Sequence, residues 1–216
     1  MINRAQRDAI IEVAKRSLGS GLTHGTSGNV SCRRHGGMLI TPSGIHYQAL
    51  VREDIVAMDF DGQVEPGEKR IPSSEWRMHA AIYRKRPDVE AIVHGHSPAA
   101  TAVACLGRDI PPFHYMIAIA GGDSIRCARY ATFGTDELAE LAVAALEGRR
   151  ACLLANHGFL AVGRSLDEAL AVAAETEFLA DLYLRLLPLG EPAPLTAEQI
   201  ELVRRRFAHY GQRPTS

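Results

Sequence analysis

The sequence has little cysteine, and what it has is scattered. Cys32, Cys105, Cys127 and Cys152 form no Cys-x-x-Cys pair, which argues against a zinc knuckle or a redox dithiol and leads us to expect four reduced, buried thiols. Net charge is also missing: 24 Lys and Arg against 25 Asp and Glu leave a formal charge of -1. Such a chain has no long-range field with which to capture nucleic acid or an anionic membrane, and Arg204-Arg205-Arg206 reads as a solvated helix face. No apolar run is long enough to span a bilayer, and Met1 to Asp8 holds no signal-peptide core. We therefore expect a soluble, cytoplasmic protein without nucleic-acid or membrane partners. Internal repeats and low-complexity tracts are absent as well. What remains is a chain of 216 residues, 46% hydrophobic, expected to fold as one domain over residues 1–216.

The centre of the sequence is Ile92-Val93-His94-Gly95-His96-Ser97-Pro98, an apolar run ending in two histidines. Val89 to Val93 reads as a buried strand, and side chains alternate faces on a strand, so His94 and His96 point the same way with only Gly95 between them. Ala151 to Gly158 repeats the theme, an apolar strand ending in His157 and a glycine. Three imidazoles from two neighbouring strand ends are the number that a catalytic zinc site uses while keeping one position open. A metalloprotease helix is excluded, since no His-Glu-x-x-His run exists.

Small, hydrogen-bonding residues gather in three further places. Gly25 to Ser31 forms a loop leading into a strand, Thr41-Pro42-Ser43-Gly44 follows the apolar Met38-Leu39-Ile40, and Pro72-Ser73-Ser74-Glu75 opens a helix at Trp76. Loops of this kind bring backbone and hydroxyl donors close to an anion, and a helix N-terminus favours a phosphate. Plain turns and a serine N-cap are equally served by the same residues. Around these lie an opening helix through Leu18, a strand from Ile55 to Phe60 returning over Gln63 to Gly67, and a helix from Ser97 to Leu106. A strand-like run follows from Phe113 to Ala120, then a short strand from Arg129 to Phe133. Helices from Thr135, from Ser165 to Leu187, and from Thr196 to near Tyr210 complete the chain.

The motifs together resemble the class II aldolase and epimerase family, and within it the L-fuculose 1-phosphate aldolases. The likeness runs from Gly25-Thr26-Ser27-Gly28-Asn29-Val30-Ser31 through Tyr210, by way of Leu39 to Gly44, Ser73-Ser74-Glu75-Trp76-Arg77, His94-Gly95-His96, His114 to Ala118 and Tyr130 to Thr135. The resemblance implies a three-layer α/β/α sandwich with a largely antiparallel central sheet. It further implies a homotetramer with active sites between subunits. Zinc would sit on His94, His96 and His157, with Glu75 as a displaceable fourth ligand and acid/base. Gly28, Asn29, Ser43, Gly44, Ser73 and Ser74 would hold a substrate phosphate. Tyr115 of a neighbouring subunit would handle the proton on the aldehyde side. Phe133, Phe207 and Tyr210 would form an apolar wall, although Phe133 and Phe207 are equally readable as core aromatics.

The implied reaction is cleavage of a ketose 1-phosphate to dihydroxyacetone phosphate and a short aldehyde such as lactaldehyde. L-Fuculose 1-phosphate is one candidate, and 5-deoxyribulose or 5-methylthioribulose 1-phosphate is another. A pentulose phosphate 4-epimerase is the enzymatic rival, but those enzymes tend to carry aspartate where Glu75 stands. An adducin-like scaffold is the non-catalytic rival, and retention of the histidines and Glu75 argues against it. His79, one helical turn beyond Glu75, is read as a surface or supporting residue placed where it could orient that carboxylate.

Overall fold

A computed structural model describes residues 4–207. Its centre is a seven-stranded sheet in the order β3-β2-β1-β4-β7-β6-β5, built from β1 (Asn29–Arg34), β2 (Gly37–Ile40), β3 (Val56–Met58), β4 (Ala91–Gly95), β5 (Arg126–Ala128), β6 (Ala151–Leu154) and β7 (Gly158–Gly163). Every neighbouring pair is antiparallel except β5 with β6. Helices cover both faces: α1 (Arg4–Gly19), α3 (Pro98–Cys105), α5 (Leu166–Leu186) and α6 (Ala197–Phe207) on one, α2 (Trp76–Lys85) and α4 (Asp136–Ala145) on the other. This is the expected three-layer sandwich.

Strand alternation decides which residues meet which layer. In β4, Ala91 and Val93 join the core beneath α1, α3 and α5, while Ile92 joins the core beneath α2 and α4. His94 shares the parity of Ile92, so the apolar pattern of the strand itself aims it at the α2 side. In β1, Val30 and Cys32 belong to the α1 side. Asn29 and Ser31 therefore face α2, with Asn29 directly opposite His94 in the ladder.

Several elements differ from expectation. Tyr115–Ala120 is a 3-10 helix rather than a strand, capped by His114 Nδ1 accepting from Met116 N–H and closed by Gly121 at φ 90°. A short, continuously apolar run carries no period that separates the two forms. The strand expected over Arg129 to Phe133 lies earlier, at β5, and the later residues carry Tyr130 and Phe133 outward at 61% and 63% exposure. The return over Gln63 to Gly67 makes only a bridge from Val64 to Met58. β6 stops at Leu154, and His157 sits in the turn that leads to β7, a strand the sequence pattern did not suggest. All four cysteines are free, but only Cys32 and Cys152 are buried. Tyr210 lies outside the described residues. No helix among the described residues is long and apolar enough to cross a membrane.

Candidate active site

Three elements deliver four ligand atoms to one point. His94 ends β4 and His96 follows it, His157 leaves the β6–β7 turn, and Glu75 stands at the N-cap of α2. The turn needs Asn156 at φ 55°, the one described non-glycine residue with positive φ. That left-handed step is tolerated best by asparagine among residues with a side chain, and it places His157 opposite β4. Gly95 and Gly158 let the backbones close: a Cβ on Gly158 would strike the Gly95 carbonyl and the His96 ring.

The Nε2 atoms of His94 and His96 are 3.0 Å apart. His94 Nε2 lies 3.1 Å from Glu75 Oε2, and His157 Nε2 lies 3.3 Å from Glu75 Oε1. All four ligand atoms fall within 4.8 Å of one another. Nitrogen and oxygen ligands at about 2.0–2.1 Å from a tetrahedral zinc stand about 3.3 Å from each other, so the observed spacings fit such a centre. The protonation pattern agrees. His94 Nδ1–H donates to the Phe159 carbonyl at 2.7 Å, which leaves Nε2 bare and turned inward. Bare imidazole nitrogens this close are reconciled by a cation or a proton, and Glu75 Oε1 is a buried oxygen without a hydrogen-bond partner.

Electrostatics points the same way. Burial and the neighbouring His94 push His96 down to about 3 and His157 down to about 4, so both are neutral and available as ligands. Burial alone would raise the Glu75 carboxyl, but His94, His157 and Asn29 outweigh it and hold it well below the usual range. Glu75 in turn raises His94 against the opposing effect of burial. An ionised carboxylate beside the neutral His96 and His157, with His94 completing the cluster once a cation replaces its proton, is a suitable donor set for a divalent metal.

A cavity of about 440 Å³ opens over this cluster. Its lining includes Gly28, Asn29, Ser43, Gly44, Ser73 and Ser74 together with Glu75, His96, His157 and Phe133. The three small-residue loops thus meet on one wall. Gly28 holds φ 78°, and a Cβ there would collide with Thr23 and the His94 carbonyl. Asn29 spends its carbonyl on His79 and one amide hydrogen on Glu75, which leaves its second amide hydrogen for a ligand. Tyr115 and Phe207 are not in this cavity. Tyr115 is 50% exposed with its ring 6.4 Å from that of Phe207, and Phe207 lines a separate hollow beside Ala118 and Arg149.

Of two supports, sequence reasoning missed one and left the other open between the surface and a place behind Glu75. Glu177 on α5 accepts from Ser97 Oγ and from the Ala99 and Ala100 amides, so it caps α3 immediately after His96. His79 is fully buried rather than near the surface, and it reaches Glu75 through Asn29. The only advance signal for His79 was its spacing of four from Glu75 on a helix.

The fold and this centre define a class of protein. The chain belongs to the class II aldolase and adducin N-terminal domain family, whose model matches residues 8–184. Among its relatives is a 5-methylthioribulose-1-phosphate/5-deoxyribulose-1-phosphate aldolase of Rhodospirillum rubrum, 50% identical over 96% of this chain and 93% of that protein. An L-fuculose phosphate aldolase of Escherichia coli is 50% identical over 94% of each chain. A solved L-fuculose 1-phosphate aldolase superposes with a TM-score of 0.92 at 44% identity, covering 96% of this chain and 98% of that one.

Proposed function

We propose that the protein is a zinc-dependent aldolase that cleaves a ketose 1-phosphate to dihydroxyacetone phosphate and a short aldehyde, working in the cytoplasm as a homotetramer. The observation that carries this reading is the single cavity holding both the histidine and glutamate cluster and the small-residue cradle. His94, His96, His157 and Glu75 would hold the metal. When bound, zinc on these donors would withdraw charge from the oxygens of a forming enediolate.

The residues of the chain divide the remaining work. Gly28, Asn29, Ser43, Gly44, Ser73 and Ser74 bind the phosphate, aided by the N-terminus of α2. Breaking the C3–C4 bond leaves its electron pair on C3, and the proton on the C4 hydroxyl must depart as that carbon becomes the aldehyde. The C4 oxygen passes its proton to the hydroxyl of Tyr115 of a neighbouring subunit, which hands its own on to solvent. C3 receives a proton through Glu75, which draws it from solvent and returns to the carboxylate. Half exposure of Tyr115 and its absence from the lining of its own chain's cavity support a role in a neighbour's site.

Three substrates fit the names of the relatives, and all end in an apolar group: L-fuculose 1-phosphate, giving lactaldehyde, 5-deoxyribulose 1-phosphate and 5-methylthioribulose 1-phosphate. Phe133 at the cavity would wall that end together with Phe207, which lies outside this chain's own cavity, and Tyr210, which is outside the described residues. The test is a panel of ketose 1-phosphates assayed by release of dihydroxyacetone phosphate, with and without chelator. Release should depend on metal, and the apolar-ended substrates should exceed ribulose 1-phosphate in kcat/KM by about 10-fold or more, an advantage that shrinks in Phe207→Ala. Equal rates would remove the apolar wall. An accumulating C4 epimer without free dihydroxyacetone phosphate would instead make the protein an epimerase, and metal-free protein indifferent to chelator would make it a scaffold.

A further inference from the structure

Glu75, His79 and Tyr83 stand four residues apart at the start and along α2, and Asn29 and Ser31 stand two apart on β1. Four helical residues rise about 6 Å and two strand residues about 6.6 Å, so the two rows remain in step and interleave. Tyr83 Oη lies 2.7 Å from Ser31 Oγ, and Ser31 Oγ lies 2.6 Å from His79 Nδ1. His79 Nε2 meets Asn29 Oδ1, and Asn29 Nδ2 lies 3.0 Å from Glu75 Oε2. All five side chains are buried, His79 and Ser31 completely.

The direction of each bond follows from the ends of the row. An ionised carboxylate only accepts, so Asn29 turns its amide nitrogen to Glu75 and its carbonyl to His79. His79 must then carry its proton on Nε2 and accept at Nδ1. The Ser31 hydroxyl donates to Nδ1, and its oxygen accepts from the Tyr83 hydroxyl. The reverse polarity would leave the Tyr83 hydroxyl needing an acceptor, and among the described residues its one hydrogen-bond partner is Ser31.

We infer that His79 is a positioning residue for Glu75: through the Asn29 amide it locks the carboxylate in one orientation, with Oε2 engaged by Asn29 and Oε1 left without a hydrogen-bond partner in the cluster. The consequence for turnover rests on the aldolase reading, whereas the bond polarity does not. A hydrogen-bonded neighbour of this kind behind a ligand is commonly worth 10–100-fold in affinity or activity.

Two measurements on the full, zinc-loaded chain separate these claims. Nitrogen NMR of protein labelled in histidine should find His79 neutral with its proton on Nε2 throughout the neutral range. A proton on Nδ1, or a charged ring, overturns the relay whatever the protein catalyses. In the second, His79→Phe keeps the bulk and loses both bonds, so kcat for cleavage and solvent-deuterium exchange into dihydroxyacetone phosphate should fall together by about 10–100-fold. KM and zinc content should stay within about twofold of wild type, since the loss lies in orientation rather than in binding. His79→Gln, which retains a donor and an acceptor, should recover part of kcat. Wild-type kcat in His79→Phe, or KM and zinc content failing in step with kcat, overturns the positioning role. If wild type releases no dihydroxyacetone phosphate, the aldolase reading fails and the NMR result alone judges the relay.

Discussion

The three histidines were legible because residue type and the end of an apolar strand are both displayed in a sequence. Glu75 looked like ordinary helix-start chemistry and joined them only through the family resemblance; the fold gathers all four. The relay behind Glu75 was not legible, because it depends on the register of α2 over β1. Burial makes this region sensitive to acid. It holds His79 and His96 down to about 3 and His157 to about 4, from an ordinary 6.5. A base with a depressed folded pKa stays neutral in the folded protein while the unfolded chain takes up its proton. Its contribution to stability is therefore complete above 6.5 and is lost as pH falls toward the folded values. Each such histidine adds about 1.4 kcal/mol per pH unit to the acid slope. In metal-free protein His79→Phe should thus lose one proton's worth of that slope between about pH 4 and 6, measured by denaturant unfolding at a series of pH values. An unchanged slope would mean that His79 is not held neutral in the fold.

At the scale of elements, periodicity and capping signals located most helices, and the Thr196 and Gln199 box appears in full, each side chain bonding the other's amide. Continuous apolar runs were the weak point. Tyr115–Ala120 places Ile117, Ala118 and Ala120 in the core, but its six residues are all apolar or aromatic and too few to show the period that would mark it as helical. Contacts between elements were equally invisible, and Glu177 is the clearest case. Its carboxylate satisfies two amides at the first turn of α3 and the Ser97 hydroxyl, 80 residues away in sequence. Removing it strands buried donors beside His96, so Glu177→Ala should cost about 1.5–3 kcal/mol. For a chain of this size that is a fall of roughly 3–12 °C in Tm. Affinity for a divalent metal at the histidine and glutamate cluster should weaken at the same time, because the cap fixes the turn that presents His96. A stable variant with unaltered metal binding would show that Pro98 and the β4 ladder hold the turn unaided.

For the whole molecule, the layers follow from alternation in the strands, whereas the relation between subunits does not, since an interface is recorded in no single chain's periodicity. The aromatic residues carry the argument. Tyr115 and Phe207 touch each other away from the metal cluster, while Tyr130 and Phe133 stand exposed beside the cavity. A rotational assembly with head-to-tail contacts brings one patch of each chain against a different patch of the next. It can therefore set Tyr115 over a neighbour's cavity. Two defective chains then complement each other: Tyr115→Phe keeps its metal cluster, and His94→Ala keeps its tyrosine. With random mixing at equal amounts, a site needs the first chain at one position and the second beside it, so roughly one quarter of sites should be intact. On the proposed homotetramer, mixed assemblies formed by unfolding and reassembly should recover about that share of wild-type turnover, while each variant alone remains inactive. No recovery in demonstrated mixed tetramers would return Tyr115 to a role within its own chain, and it would require a movement of the Tyr115–Ala120 turn to bring the hydroxyl to the cavity.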